Sequence, residues 1–223
     1  FVEEAHKEIK DSINYAKRIQ NAILPPLNQI KEVLPQSFVL FQPKDVVAGD
    51  FYWQESVAPT SNKKSKKVYI ASADCTGHGV PGAMVSVVCS NALSKAVLED
   101  GITDVGKILD KTREIVISKL AKSSDIKDGM DISLACFDFE NKKLEWAGAN
   151  NPLYLLKNGE IEITKGDREA IGYTDNPTPF TKHIFDLQKG DTIYLFTDGY
   201  PDQFGGEKGK KIGYKKFRDE LVN

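Results

Sequence analysis

Apolar side chains return every seven positions at the start of the chain, at Val2, Ile9, Ala16 and Ile23, with Ile13 and Ile19 beside that stripe and charged residues elsewhere. This spacing predicts one amphipathic helix over residues 1 to 24. Pro25-Pro26 ends it, because proline has no amide hydrogen to donate and disfavours helix in the residue before it. Such a helix either packs on its own domain or connects to an upstream module as a short coiled coil, and the pattern fits both. Beyond residue 36 the period shortens to that of strands. Ser37–Phe41, Asp50–Gln54 and Val68–Ala73 read as strands, and the polar insert SVAPTSNKKSKK before Val68 reads as a solvated hairpin tip. Residues 81 to 98 return to helical spacing through Met84, Val87, Val88 and Val97, with Met84 expected as core filler. Residues 104 to 121 form a second helix that buries Val105, Ile108, Leu109, Ile115 and Val116. The second half reads as a meander, with strands at 131–139, 143–147, 153–157, 160–164, 183–187 and 192–197. Asn158-Gly159 is the dipeptide best suited to a two-residue hairpin turn. Residues 214 to 222 begin a last amphipathic helix. Strand-rich halves around a central helical pair predict an α+β fold, with antiparallel sheets packed against helices.

Composition narrows the function classes. With 40% hydrophobic and 28% charged residues, a net charge of -2 and a pI of about 6.0, the chain of 223 residues is an ordinary globular one. Nothing in that balance calls for nucleic acid or an anionic membrane as partner, and no basic stripe with interleaved aromatics supports a nuclease. No run approaches the roughly 20 apolar residues of a membrane helix, and no signal peptide opens the chain. Cys75, Cys89 and Cys136 are odd in number and form no CxxC pair. They are expected as reduced thiols in a cytoplasmic protein. The first residue is Phe1, which leads to the expectation of a longer parent with a sensor module or membrane domain upstream.

Three places share one design, a carboxylate beside glycine at the end of a strand: Gly49-Asp50, Asp74 ahead of Gly77-His78-Gly79, and Asp198-Gly199. Glycine lets the backbone bend sharply and approach a ligand closely. Taken singly, an Asp-Gly pair is a turn signal. Taken together, acids converging from separate strand ends cannot all stay charged without a cation between them, and oxygen donors are what Mg²⁺ and Mn²⁺ prefer. If the three meet in space, a divalent-metal site is the simplest reason.

Four stretches, AGDFYW (48–53), ADCTGHGVPGAM (73–84), WAGANNPLYL (146–155) and LFTDGYPDQ (195–203), resemble the SpoIIE/RsbU-like branch of the metal-dependent (PPM family) serine/threonine protein phosphatases. They occur in the family's order, and the resemblance covers roughly residues 36 to 223. It implies a two-sheet antiparallel β-sandwich flanked by helices, so that residues 1–35 form an N-terminal helical connector and 36–223 the phosphatase domain. It also implies two Mn²⁺ or Mg²⁺ ions. Asp74 would bridge them, Asp50 and the backbone carbonyl of Cys75 would complete one ion's protein ligands, and Asp198 would serve the other. The implied reaction is attack of a metal-activated water on phosphoserine or phosphothreonine of a regulatory protein, without a covalent enzyme intermediate. By analogy the substrate is a STAS-type antagonist, with an upstream sensor acting through the first helix; the coiled-coil reading of residues 1–24 allows a homodimer through them.

The sequence departs from the family in one respect. The family's last strand carries an Asp-Asp pair, and no such pair occurs here. That predicts a sheet short of an edge strand and a second ion short of a ligand. The competing reading is therefore a weak or inactive signalling module with the same fold that binds a regulatory partner. His78 is the tempting general acid, but its place in the motif fits a turn-stabilising role better. His6 and His183 read as surface or strand-face residues, and Asp128 and Asp131 in KDGMD as structural or as a weak outer ligand. The run KGKKIGYKK (208–216) either attracts a phosphoprotein or is a solvated face, and the second reading is adopted.

Overall fold

The computed structural model describes residues 2–58, 66–120, 128–205 and 209–222. Helices α1 (Val2–Ile23) and α2 (Leu27–Val33) precede strands β1 (Phe51–Val57) and β2 (Lys67–Cys75). Helix α3 (Gly79–Ser94) runs on through one π-helical turn (Lys95–Glu99), and α4 (Val105–Leu120) follows. Strands β3 (Met130–Asp138), β4 (Lys143–Ala149), β5 (Leu153–Lys157), β6 (Glu160–Thr164), β7 (His183–Asp186) and β8 (Thr192–Tyr194) come next. A small hairpin, β9 (Phe204–Gly205) and β10 (Lys210–Lys211), leads into α5 (Gly213–Val222).

Five strands form one antiparallel sheet in the order β1-β2-β3-β4-β7, and three form a second in the order β6-β5-β8. Side chains on a strand alternate between faces, and the larger sheet uses both. Phe51, Trp53, Tyr69, Ala71, Ala73, Cys75, Ile132, Leu134, Cys136, Ala147 and Ala149 face the helices, in one core with residues of α3 and α4. The intervening positions Ile70, Ala135, Phe137, Leu144 and Trp146 face the other way. There they meet Leu153, Ile193 and Leu195 from the second sheet and its flank. The molecule is thus the expected α+β arrangement, two antiparallel sheets with helices against the outer face of the larger one.

The α4 residues Val105, Ile108, Leu109, Ile115 and Val116 are buried, as the helical spacing predicts. Asn158 (φ 51°) and Gly159 (φ 83°) make the tight turn between β5 and β6, with Lys157 opposite Glu160. Only the later part of α1 engages the domain. Gln20 is buried and donates to Ala48 O and Ser86 Oγ (3.0 Å) while accepting from Ala48 N (3.0 Å), whereas Val2, Ile9 and Tyr15 are exposed.

Several expectations are corrected. Ser37–Phe41 forms no strand: Phe38 and Leu40 lie 71% and 59% exposed, and Phe41 touches Tyr52 edge-on without joining its ladder. Flanked by Pro35 and Pro43, which cannot donate to a sheet, the alternation there finds no partner strand. Helix α2 was not expected. Strand β8 ends at Tyr194, not Thr197, because its partner β5 starts at Leu153 directly after Pro152, where the ladder loses its donor. The insert is partly strand, since β1 continues through Val57, and its residues 59–65 lie outside those described. Met84 is 67% exposed; Ala83, Val85, Cys89, Ala92 and Leu93 are among the buried residues of α3. That helix is apolar nearly all round, so no single stripe marks its inner face. The stretch Gly79–Glu99 is long and apolar enough, by length and composition alone, to cross a membrane, contrary to the sequence expectation. Here it packs against α1, α4 and the sheet, and burial in a core accounts for its composition.

Candidate functional site

The predicted acids meet at one end of the sandwich, and strand register explains three of the positions. Phe51 pairs with Ala73 and Asp74 with Asp131. One step beyond the Phe51–Ala73 pair stand Asp50 and Asp74. One step beyond the Ile132–Ala149 pair stand Asp131 and Asn150. Asp50, Asp74, Asp131 and Asn150 therefore form a row across adjacent strands, all on the face turned to the second sheet. Neighbouring strands lie about 4.8 Å apart, so carboxylates in such a row are close neighbours. Asn150 Nδ2 donates to Asp131 Oδ1 at 2.7 Å. Asp198 arrives from the second sheet, just past β8, and next to it Thr197 Oγ1 donates to Asp50 Oδ2 at 3.1 Å, fastening the two sides together.

The crowding shows in the acids themselves. Burial first, then the negative charge of Asp50, a hydrogen bond shared with Asp50, and the charges of Asp198 and Asp131 push the Asp74 carboxyl up to about 7. Asp131 is raised by burial, against the stabilising bond from Asn150. Asp198 is raised by burial and by Asp202, Asp50 and Asp131, while Lys211 draws it down. A row of acids in which Asp74 is pushed up to about 7 lacks counter-charge.

Two glycines make the geometry feasible. A Cβ on Gly49 would stand 2.7 Å from Gly77 O and 2.9 Å from Cys75 O, so only glycine lets these backbones approach. Gly77 itself has φ +89°, the left-handed region that side chains disfavour. The Cys75 thiol lies on the opposite face, buried beside Cys89, which together with burial pushes it far above the usual thiol range. Only its carbonyl is available at the corner. His78 faces solvent, 96% exposed, with Nδ1 3.4 Å from Asp45 Oδ2, a contact between the loop ahead of Gly49 and the start of α3. Asp128 precedes Gly129, whose carbonyl accepts from Thr76 N at 2.9 Å, so that segment braces the turn after Asp74. His183 packs beside Trp146 on the sheet face.

Every donor at the corner is an oxygen, the atom type that hard divalent cations take, and the acids need positive charge. The residues fit Mg²⁺ or Mn²⁺ in kind. Among the described residues no three His, Cys, Asp or Glu side chains already stand at caging distance. The sequence suggests for Asp131 a structural place or at most that of a weak outer ligand; its position opposite Asp74 becomes visible only when β2 and β3 are in register.

Comparison with known proteins defines the class and then the family. The SiaA-PP2C domain of Pseudomonas aeruginosa superposes with a TM-score of 0.84 at 37% identity, over 98% of this chain and 83% of that one. The RsbU and RsbW domains of a Mycobacterium tuberculosis protein match with a TM-score of 0.61 at 19% identity, over 80% of this chain and 46% of that one. RsbX in complex with magnesium matches with a TM-score of 0.53 at 17% identity, over 82% and 83%. The fold is thus that of a PP2C-type phosphatase domain. The profile of Stage II sporulation protein E (SpoIIE) matches residues 64–222, and the chain belongs to the SpoIIE family. No curated protein matches the sequence.

Proposed function

We propose that this chain is a divalent-metal-dependent serine/threonine protein phosphatase acting on a regulatory phosphoprotein. The observation that carries the reading is the row Asp50–Asp74–Asp131 facing Asp198, with Asp74 raised to about 7 for want of counter-charge. Asp74 would bridge two Mn²⁺ or Mg²⁺ ions, Asp50 and the Cys75 carbonyl would hold one, and Asp198 the other; RsbX, which shares the fold, is a magnesium complex. When bound, such ions supply an activated water near neutral pH and a charge clamp for phosphoryl oxygens. The chain's own part is positional. Strand pairing fixes three carboxylates, Thr197 ties Asp50 to the Asp198 turn, and Gly49 admits the carbonyls of Cys75 and Gly77. Preorganisation of this kind lets charge be met where it develops.

The assignment of residues 1–35 as connector and 36–223 as catalytic domain belongs to the same reading. Gln20 supports an input through α1, since its bonds to Ala48 place that helix two residues from Asp50. A STAS-type antagonist as substrate rests on the family's analogy alone.

The test is phosphate release from a phosphoserine peptide by the chain stripped with a chelator, before and after Mn²⁺ or Mg²⁺ is restored. Release that returns with the metal supports the enzyme. Metal binding without release would instead favour the partner-binding module.

A further inference from the structure

The basic run after Asp198 places one of its lysines beside the turn that carries Asp198. Asp202 N donates to Asp198 O (2.9 Å) and Gln203 Nε2 to Gly199 O (3.0 Å), closing the turn. Ile212 N donates to Gln203 O (2.9 Å) and Gly213 N to Pro201 O (2.8 Å), so the hairpin β9–β10 is fastened to the turn that carries Asp198. On β10, Lys211 Nζ lies 2.8 Å from Asp202 Oδ2 and 5.7 Å from the centre of the Phe204 ring. The ion pair with Asp202 is half exposed, with 49% and 45% of the two side chains accessible. Such pairs add little to stability, so a stapling role gives a weak reason for a cation at this place.

We propose that Lys211 binds the phosphoryl group of the substrate, leaving Asp202 for the phosphate oxygens when phosphate enters the corner formed by Asp50, Asp74, Asp131 and Asp198. The inference rests on the phosphatase reading above. A lysine ammonium is a compact charge on a flexible stem with three donors, suited to exchanging one oxyanion for another. A phosphate dianion competes well with a single carboxylate for such a donor. No bond to Lys211 forms or breaks: the side chain holds the non-bridging oxygens and offsets their charge while water displaces the serine or threonine oxygen.

The test is calorimetric titration of inorganic phosphate into the Mn²⁺-loaded chain, for the parent and for Lys211→Gln, Lys211→Arg and Lys210→Gln. KM and kcat for p-nitrophenyl phosphate are measured on the same four proteins. Lys211→Gln is expected to weaken phosphate binding about tenfold or more, the loss of one charge-assisted contact, and to raise KM in step. Lys211→Arg restores most of that affinity, and Lys210→Gln, which removes a charge from the same strand, leaves it unchanged. Equal affinity in the parent and Lys211→Gln overturns the proposal. So does an equal loss in Lys211→Gln and Lys210→Gln, which would show general attraction only. A parent that binds phosphate yet releases no p-nitrophenol sinks the phosphatase reading while the binding series still decides Lys211. A parent that binds no phosphate overturns the Lys211 assignment as well.

Discussion

Asp74 reaches the acidic corner from inside a five-stranded sheet, whereas Asp198 reaches it from a turn beyond an outer strand of the three-stranded one. The first is positioned by ladders on both sides, with Ala73 opposite Phe51 and Asp74 opposite Asp131. The second is positioned by single bonds, from Asp202 N to its carbonyl and from Gln203 Nε2 to Gly199 O. Ladder placement is rigid but crowds like charges, and Asp74 bears the cost as a carboxyl raised to about 7. Turn placement relaxes the crowding, and Lys211 offsets part of it at Asp198. A site assembled this way has one fixed side and one adjustable side.

The contrast is broken most sharply at Asp74. On the proposed reading, Asp74→Asn is expected to lower metal-dependent hydrolysis by about a thousandfold or more, because a carboxylate shared between two ions would act as a unit with them. It should also leave the metal-free fold intact or slightly firmer, since one repelling charge is gone. Mn²⁺ calorimetry and phosphate release on both proteins check this; equal rates would end the assignment. Asp198→Asn on the adjustable side should cost less, about tenfold to a hundredfold in metal affinity. If Asp198→Asn proves as severe as Asp74→Asn, the two sides are not mechanically distinct.

Asp131→Asn comes next, with about a tenfold loss of Mn²⁺ affinity expected from its place beside Asp74 and its bond to Asn150. This residue also marks where the sequence stops being readable. Asp50, Asp74 and Asp198 were visible because each sits beside or just before glycine at the end of an apolar alternation, a local signal. Asp131 lies in a similar local setting, Lys-Asp-Gly-Met-Asp, yet its importance depends on which residue of β2 lies opposite, and register is a property of two strands. The same limit explains Ser37–Phe41, whose alternation is strand-like but has no partner. It explains Met84 too, because α3 is apolar on every side and its inward face is set by the sheet beneath it. Elements with their own stop signals, such as α1 before Pro25-Pro26 and the Asn158-Gly159 hairpin, were legible to within a residue or two.

Acidity provides a subtler probe. Asp74 has an ordinary value of 3.8 and a folded value of about 7, so between those limits the folded chain holds a proton that the unfolded chain has released. Metal-free stability from this group is therefore fully present at low pH and falls as pH rises through 7. The raised carboxyls of Asp131 and Asp198 act in the same direction. Thermal melts in chelator should show a lower transition at pH 8 than at pH 5.5, with much of the difference absent in Asp74→Asn. A cation has to displace the same proton, so Mn²⁺ affinity should climb about tenfold per pH unit below 7 and level off above it. A flat profile would mean that Asp74 is already ionised and the row is less crowded than its register implies.

The smallest effect on the site is expected from the core behind it. Ser133 lies two residues along β3 from Asp131 on the same face, fully buried, where its Oγ accepts from Trp146 Nε1 (2.8 Å) and donates to Pro152 O (3.1 Å). Ser133→Ala leaves a buried indole N–H and a carbonyl unpaired, at a cost of about 1–3 kcal/mol. For a chain of this size that lowers the melting transition by about 2–10 °C. The ladders that fix Asp50, Asp74 and Asp131 use backbone groups that this change does not touch, so Mn²⁺ affinity and turnover at 25 °C should stay within about twofold of the parent. Metal affinity falling in step with stability would show that the row depends on side-chain packing between the sheets, and that the fixed side of the corner is no more rigid than the turn opposite it.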